Sequence, residues 1–219
     1  MKEKKLMRII IFGAAGDVGS RVVAEALSRG HEVTAVVRDP AQFNKLPKEA
    51  IARAGDAGDV EDVARLTADH DVVVSAIRPP AGSEDQLVTI TKAILDGAAQ
   101  SGIRVLIVGG AASLEMPGQS DSTVLTEPNF LPEAVLDIAR ACFAQHEACR
   151  AETRTDWAYL SPPAMLTPGT RTGSFRLGTD ELLVDVNGDS AISMEDFAVV
   201  LLDEAEYPKH HQVRFTAAY

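Results

Sequence analysis

Apolar and β-branched residues are concentrated in short runs along the chain: Met7–Phe12, Val33–Val37, Ile51–Ala54, Asp71–Ile77, Arg104–Val108 and Trp157–Ser161. Between most of them, apolar positions recur with a helical period, over Val18–Arg29, Val60–Ala68, Glu84–Ser101 and Glu133–Thr153. The runs Val72–Val74 and Val105–Val108 are continuous rather than alternating, which marks strands buried on both faces, as in a parallel sheet. Strands that alternate with helices imply right-handed crossovers and a doubly wound parallel α/β sheet. Two stretches break the rhythm. Residues 112–132 and 161–176 are rich in Pro, Gly, Ser and Thr and read as loops. Both follow strands, so both fall at the carboxyl edge of the sheet, where open α/β folds bind ligands. With no linker or internal repeat, the pattern predicts one domain over residues 1–219. A small C-terminal lobe is expected, with substrate-side elements mainly in 112–132 and 161–192.

Composition and charge narrow the partners. The chain has 219 residues, 46% of them apolar, enough for a sizeable core, and a net charge of −11. That balance argues against nucleic acid or an anionic membrane as the main partner, because phosphate contacts need a concentrated basic face. The basic start, Met1 to Lys5, is not followed by a secretory h-region: the next apolar stretch is broken by Arg8 and runs into Gly13. Nowhere is an uninterrupted apolar run long enough to span a bilayer. Cys142 and Cys149 stand seven apart in a helical segment, roughly 10 Å along its axis, too far for a disulfide. Packing is their expected role, and a cytoplasmic location is expected.

The chemistry begins at Gly13-Ala14-Ala15-Gly16-Asp17-Val18-Gly19, which follows Ile9–Phe12 and opens the first helix. Glycines at this spacing allow a tight turn, close approach of backbone N–H groups to a diphosphate, and contact between helix and strand; the helix N-terminus favours negative charge. A nicotinamide dinucleotide is the expected cofactor. The next strand ends in Arg38-Asp39. An acid at a strand tip binds ribose hydroxyls and selects NAD, whereas an arginine pairs with the 2′-phosphate of NADP. Arg38 comes first and favours NADP, with NAD left open; the alternative is a solvated Arg38 beside Asp39 as a helix cap before Pro40. Gly55-Asp56-Ala57 either lies near the adenine or is a turn and cap for the helix from Val60. Ser75-Ala76-Ile77 has small side chains where a nicotinamide ribose needs room, a pattern that a buried strand end also produces.

The chain resembles the atypical short-chain dehydrogenase/reductases of the NmrA-like kind, in the NAD(P)H-flavin reductase branch related to biliverdin reductase B. The resemblance covers nearly the whole chain. It rests on the Gly13–Gly19 turn, Ala35–Asp39, Val108-Gly109-Gly110-Ala111-Ala112-Ser113-Leu114, and Trp157–Pro163. Pro168–Gly173, Ile192–Ala198 and Arg214-Phe215-Thr216 carry it further. It implies a Rossmann-type fold and dinucleotide contacts from Gly13, Gly16, Asp17, Val18, Arg38, Asp56 and the Ser75–Ile77 strand end; Ala15, Gly19, Ala57, Gly109 and Gly110 are expected to bind the cofactor beside them. The loops after Gly110 and Ser161 are implied to frame a substrate, through Ser113, Pro162, Pro163 and Ala164.

Departures from the family pattern shape the expected reaction. Such enzymes usually protonate their substrate with a Tyr assisted by a Lys four residues later; Tyr159, Tyr207 and Tyr219 all lack that lysine. Proteins like biliverdin reductase B carry a His after the Pro-Pro pair, where this chain has Ala164. What remains is hydride transfer to an acceptor that takes its proton from solvent, such as a flavin or quinone. The alternative is a dinucleotide-binding sensor without turnover, as NmrA-like proteins can be. Ser113 and His146 are the candidate polar catalytic groups, each with a plain structural reading beside it: a loop ST-turn for Ser113 and a surface helical histidine for His146. No metal site is expected. His210 and His211 would point opposite ways on a strand, and the Asp185–Asp189 stretch reads as an Asn187-Gly188 hairpin turn before a helix capped at Ser193.

Overall fold

The computed structural model describes residues 6–219, so the basic run Met1–Lys5 lies outside the described residues. Six strands meet the expectation to within a residue or two: β1 (Arg8–Phe12), β2 (Glu32–Val37), β3 (Ile51–Ala54), β4 (Val72–Ser75), β5 (Arg104–Val108) and β8 (Trp157–Ser161). Between them run α1 (Asp17–Ser28), α2 (Val60–Thr67), α3 (Gln86–Ser101) and α4 (Leu136–Arg150). The last of these starts three residues later than its periodicity suggests, because Glu133–Val135 form a 3-10 turn.

The main sheet has the order β10-β12-β8-β5-β4-β1-β2-β3. Two of its strands, β10 (Arg176–Gly178) and β12 (Val213–Ala218), were not legible as runs of their own. Every neighbouring pair is parallel except β10 with β12. The doubly wound expectation therefore holds. The chain reverses direction across the sheet between β1 and β4, the switch point at which such sheets open a ligand crevice.

Continuous apolar strands follow from burial on both faces. Ile9 and Ile11 turn toward a core shared with Val22, Val23 and Ala26 of α1 and with Phe197 and Leu201 of α5 (Met194–Glu206). Ile10 and Phe12 turn the other way, onto Val63 of α2 and Ile94, Leu95 and Ala98 of α3. Trp157 and Tyr159 of β8 complete this second core. A strand placed thus has no solvent face to encode.

The two expected loops carry strands of their own. Residues 112–132 contain the antiparallel pair β6 (Glu115–Met116) and β7 (Gln119–Thr123), and Met165–Thr167 forms β9, parallel to β11 (Ala191–Ser193). The Asn187-Gly188 turn forms with Gly188 at φ +85°, but no named strands flank it as a hairpin. The Asp185 carboxylate accepts from the Asn187 and Asp189 N–H groups instead. Ser193 caps α5 by accepting from the Asp196 N–H at 3.0 Å. His210 is paired with Glu204 and stacked on Phe215, while His211 pairs with Asp156. Both cysteines are free thiols; burial pushes Cys149 up to about 12. No helix among the described residues is long and apolar enough to cross a membrane.

Candidate functional site

A cleft of about 910 Å³ opens at the carboxyl edge, above the tips of β1, β2, β4 and β5. Its floor is the turn between β1 and α1. Gly13 sits at φ +77°, and a Cβ there would lie 2.5 Å from the Ala76 carbonyl oxygen. A Cβ on Gly19 would lie 2.1 Å from the Gly13 carbonyl oxygen, so α1 reaches the turn only through a glycine. Gly16 is the N-cap of α1 and offers no side-chain oxygen to its first turn. The first-turn N–H groups are thus left for a ligand, at the end of the helix whose dipole favours an anion. Gly13, Ala15, Gly16, Asp17 and Val18 line the cleft. Gly19 does not; its part is the close approach beneath. A diphosphate fits this cradle, in shape and in donor chemistry.

Arg38 lies in the cleft wall at the end of β2. Its neighbour Asp39 accepts the Ala41 N–H at 2.9 Å and caps the short helix that begins at Pro40. The carboxylate is therefore engaged in the chain, while the guanidinium is exposed to the cleft. Arg38 and Arg78 share a property found in no other arginine among the described residues: neither makes an ion pair or a hydrogen bond, and both line this cleft. In a chain of net charge −11, two unpaired cations facing one cavity suit an anionic ligand. Arg78 directly follows the strand run ending at Ile77, and no motif in the sequence marks it.

Asp56 and Ala57 line the same wall, with the Asp56 carboxylate accepting the Gly58 N–H in a turn. The cap of α2 is Asp59, not Asp56, through the Glu61 and Asp62 N–H groups. Ala76 and Ile77 face the cleft, whereas the Ser75 side chain is buried in β4 below it. Gly109 and Gly110 line the cleft at the tip of β5, each pressed against a neighbour that leaves no room for a side chain. A Cβ on Gly109 would meet the Tyr159 ring at 2.1 Å, and one on Gly110 the Cys142 Cβ at 2.5 Å.

Beyond the glycine pair the cleft becomes apolar. Val124, Leu131, Val135 and Ile138 form its far wall, facing Pro162, Pro163 and Ala164 after β8. The far wall comes from the 112–132 loop and the start of α4, and only the loop's part in it was expected. Cys142 also lines the cleft; burial pushes its thiol up to about 11, with Arg78 pulling weakly the other way.

The two candidate catalytic side chains are placed off the cleft, which corrects the expectation for both. Ser113 is buried, and its hydroxyl and carbonyl accept from the Arg214 guanidinium at 2.9 and 2.5 Å. His146 is not a surface residue either. It is buried on the inner side of α4, its ring 4.9 Å from that of Tyr159, and burial, then nearby Arg214, push its pKa down to about 4. It is neutral at physiological pH.

Tyr159, on β8, is fully buried beneath the glycine pair. Its oxygen accepts the Gly110 N–H at 3.1 Å and lies 3.0 Å from the Cys142 carbonyl and 3.1 Å from Gln145 Oε1. Burial holds its hydroxyl well above the usual 10. No group of three or more His, Cys, Asp or Glu side chains among the described residues could hold a metal ion.

Comparison with known proteins agrees with this geometry. A family model described as NAD(P)H-binding matches residues 13–208. The uncharacterized protein YwnB of Bacillus subtilis is 37% identical over 221 residues, covering 96% of this chain and 97% of that protein. A solved structure from Bacteroides thetaiotaomicron, described as a candidate epimerase, has a TM-score of 0.88 at 38% identity and 98% coverage of both chains. Another from Streptococcus pneumoniae, described as a candidate NADH-flavin reductase, has a TM-score of 0.84 at 29% identity, covering 97% of this chain and 99% of that one.

Proposed function

The chain belongs to the NAD(P)H-binding family of atypical short-chain dehydrogenase/reductases, and on that premise we propose that it is an NADPH-dependent reductase of a flavin-like, quinone or similar small planar acceptor. The observation that carries this reading is the continuity of one cleft. It runs from the glycine cradle and Arg38 to the apolar wall of Val124, Leu131, Val135 and Ile138. Cofactor and ring acceptor would share one cavity.

When bound, the dinucleotide supplies the hydride. The chain's own contribution is positional. The cradle fixes the diphosphate, the small residues Ala76, Gly109 and Gly110 leave room for a ring above the strand tips, and the apolar wall excludes water from the acceptor's faces. Proton supply decides the acceptor class. The Tyr159 hydroxyl is buried beneath Gly110, His146 is neutral and off the cleft, and the Ser113 hydroxyl is held by Arg214. An acceptor that can be protonated by solvent after two-electron reduction meets this constraint, as flavins and quinones do. The description of the Streptococcus pneumoniae relative points to the same class.

Arg38, free of ion pairs at the β2 tip, supports NADP over NAD. The reading includes no nucleic-acid or membrane partner and places the protein in the cytoplasm, where Cys142 and Cys149 would stay reduced. Steady-state NADPH oxidation with FMN, riboflavin and a small quinone panel tests it. Turnover on none of them, with tight NADP binding by calorimetry, would replace it with a second reading, favoured by the placement of Tyr159, His146 and Ser113 away from the cleft, a dinucleotide-dependent sensor.

A further inference from the structure

The side chains beneath the glycine pair form a buried chain of hydrogen bonds. Thr91 Oγ1 on α3 donates to the Leu87 carbonyl at 2.8 Å and accepts from Gln145 Nε2 of α4 at 3.0 Å. Gln145 Oε1 lies 3.1 Å from the Tyr159 hydroxyl, which in turn accepts the Gly110 N–H at 3.1 Å. Thr91, Gln145 and Tyr159 are exposed by 2%, 1% and 0%, so water does not compete for these partners. Three separate elements, α3, α4 and β8, thus converge on one peptide group at the tip of β5.

That peptide has a defined orientation. No peptide bond among the described residues is cis, and in a trans peptide the C=O and N–H point in opposite directions. The Gly110 N–H is directed at Tyr159, so the Gly109 carbonyl is directed away from it. Both glycines line the cleft, and among the described residues no donor reaches the Gly109 carbonyl. A rigidly held, unpaired acceptor at the β5 tip is suited to a ligand N–H.

We infer that Tyr159, supported by Gln145 and Thr91, is a positioning residue: it locks the Gly109–Gly110 peptide so that the Gly109 carbonyl accepts a hydrogen bond from the carboxamide N–H of the nicotinamide. Tyr159, which lacks the lysine four residues later that would assist it as an acid, is here an anchor for the backbone. The inference rests on the cleft holding the dinucleotide, not on any particular acceptor being reduced.

The test is a binding cycle that needs no turnover. NADP and its 3-acetylpyridine analogue, in which a methyl group replaces the carboxamide amine, are titrated calorimetrically into the wild type and Tyr159→Phe. One neutral hydrogen bond corresponds to about a tenfold preference of the wild type for NADP. In Tyr159→Phe the preference should fall to about twofold or less, because the peptide is free to turn. Thr91→Val and Gln145→Leu keep the tyrosine but remove its support and should give intermediate ratios, which keeps the inference testable if Tyr159→Phe does not fold. An unchanged ratio in the folded variants overturns it, as does a wild-type ratio near one. A change confined to riboflavin relative to quinone, with the dinucleotide ratio constant, overturns it too, by assigning the carbonyl to the acceptor.

Discussion

The Asp196 carboxylate offers a quantitative check on how the C-terminal lobe is held. Asp196 is fully buried in the first turn of α5 and accepts from the Thr172 N–H at 2.8 Å, the Gly173 N–H at 2.7 Å, the Thr172 hydroxyl at 2.6 Å and the Tyr219 hydroxyl at 2.8 Å. Burial alone would raise its pKa, but hydrogen bonds from Thr172, Gly173 and Tyr219 outweigh that and leave it below the ordinary 3.8. Asp196→Ala removes all four acceptor contacts. A hydrogen bond to a charged group contributes about 1.5–3 kcal/mol, yet Thr172 and Gly173 are exposed and water would re-solvate them in the variant. Discounting for that, we expect a loss of about 3–4 kcal/mol, or a fall in Tm of about 10 °C for a chain of this size. Asp196→Asn, which keeps one acceptor oxygen, should lose about half as much. The sign with pH follows from the lowered pKa. The contribution is fully present above the unfolded-state value of 3.8 and is lost as pH falls through the folded value. The stability gap between wild type and Asp196→Ala, from urea titrations, should be flat above about pH 5 and shrink below 3.8. A gap under about 1 kcal/mol at pH 7, or one equally large at pH 3, would refute the reasoning.

Other consequences are direct. Arg38→Ala should weaken NADPH binding by about 10–100-fold, the worth of a charge-assisted phosphate contact, and leave NADH nearly unchanged; equal effects on the two dinucleotides, measured by calorimetry, would sink the NADP assignment. Gly19→Ala forces a Cβ to within 2.1 Å of the Gly13 carbonyl oxygen, so dinucleotide binding should be lost or the Tm lowered by several degrees, both readable in one thermal-shift series with and without NADP. His146→Gln should leave the pH profile of kcat between 6 and 8 unchanged, because the imidazole, with its pKa near 4, is already neutral there and off the cleft; the disappearance of an ionisation in that range would restore it as a proton donor. Gly110→Ala should cost both stability and cofactor affinity, since its Cβ would lie 2.5 Å from the Cys142 Cβ, and a variant that bound NADP normally would contradict the packing described.

The limits of legibility fall along a physical line. Strands β5 and β8 were readable to the residue, because a central parallel strand is buried on both faces and shows itself as a nearly unbroken apolar run. The turn at Gly13–Gly19 was equally plain, since its requirements, a positive φ and two close backbone approaches, are met within seven residues. Strand β12 was recognised only as a family motif. It forms by pairing with β8, whose sequence lies about fifty residues earlier, and β10 exists only because β12 offers it an antiparallel edge. The loop at 161–176 looked unstructured because β11, the partner of its β9, is distant in the chain, and the one at 112–132 because β6 is two residues long and β7 is a polar run with no apolar pattern.

The same line divides the site. The diphosphate cradle and Arg38 could be placed from the chain alone, because turn geometry and strand ends are local properties. Ser113 and His146 could not. Residue type says that each can carry a proton, but Arg214, 101 residues from Ser113, decides that the serine is engaged elsewhere, and the packing of α4 against Tyr159 decides which way His146 faces. Periodicity and backbone sterics act over a few residues, so the doubly wound sheet and a glycine turn shaped for a dinucleotide are written in the chain itself. The place of Tyr159 came from folding, because a hydroxyl's role is set by the partners that the tertiary structure brings to it, and here those are a glycine N–H, the Cys142 carbonyl and a buried glutamine.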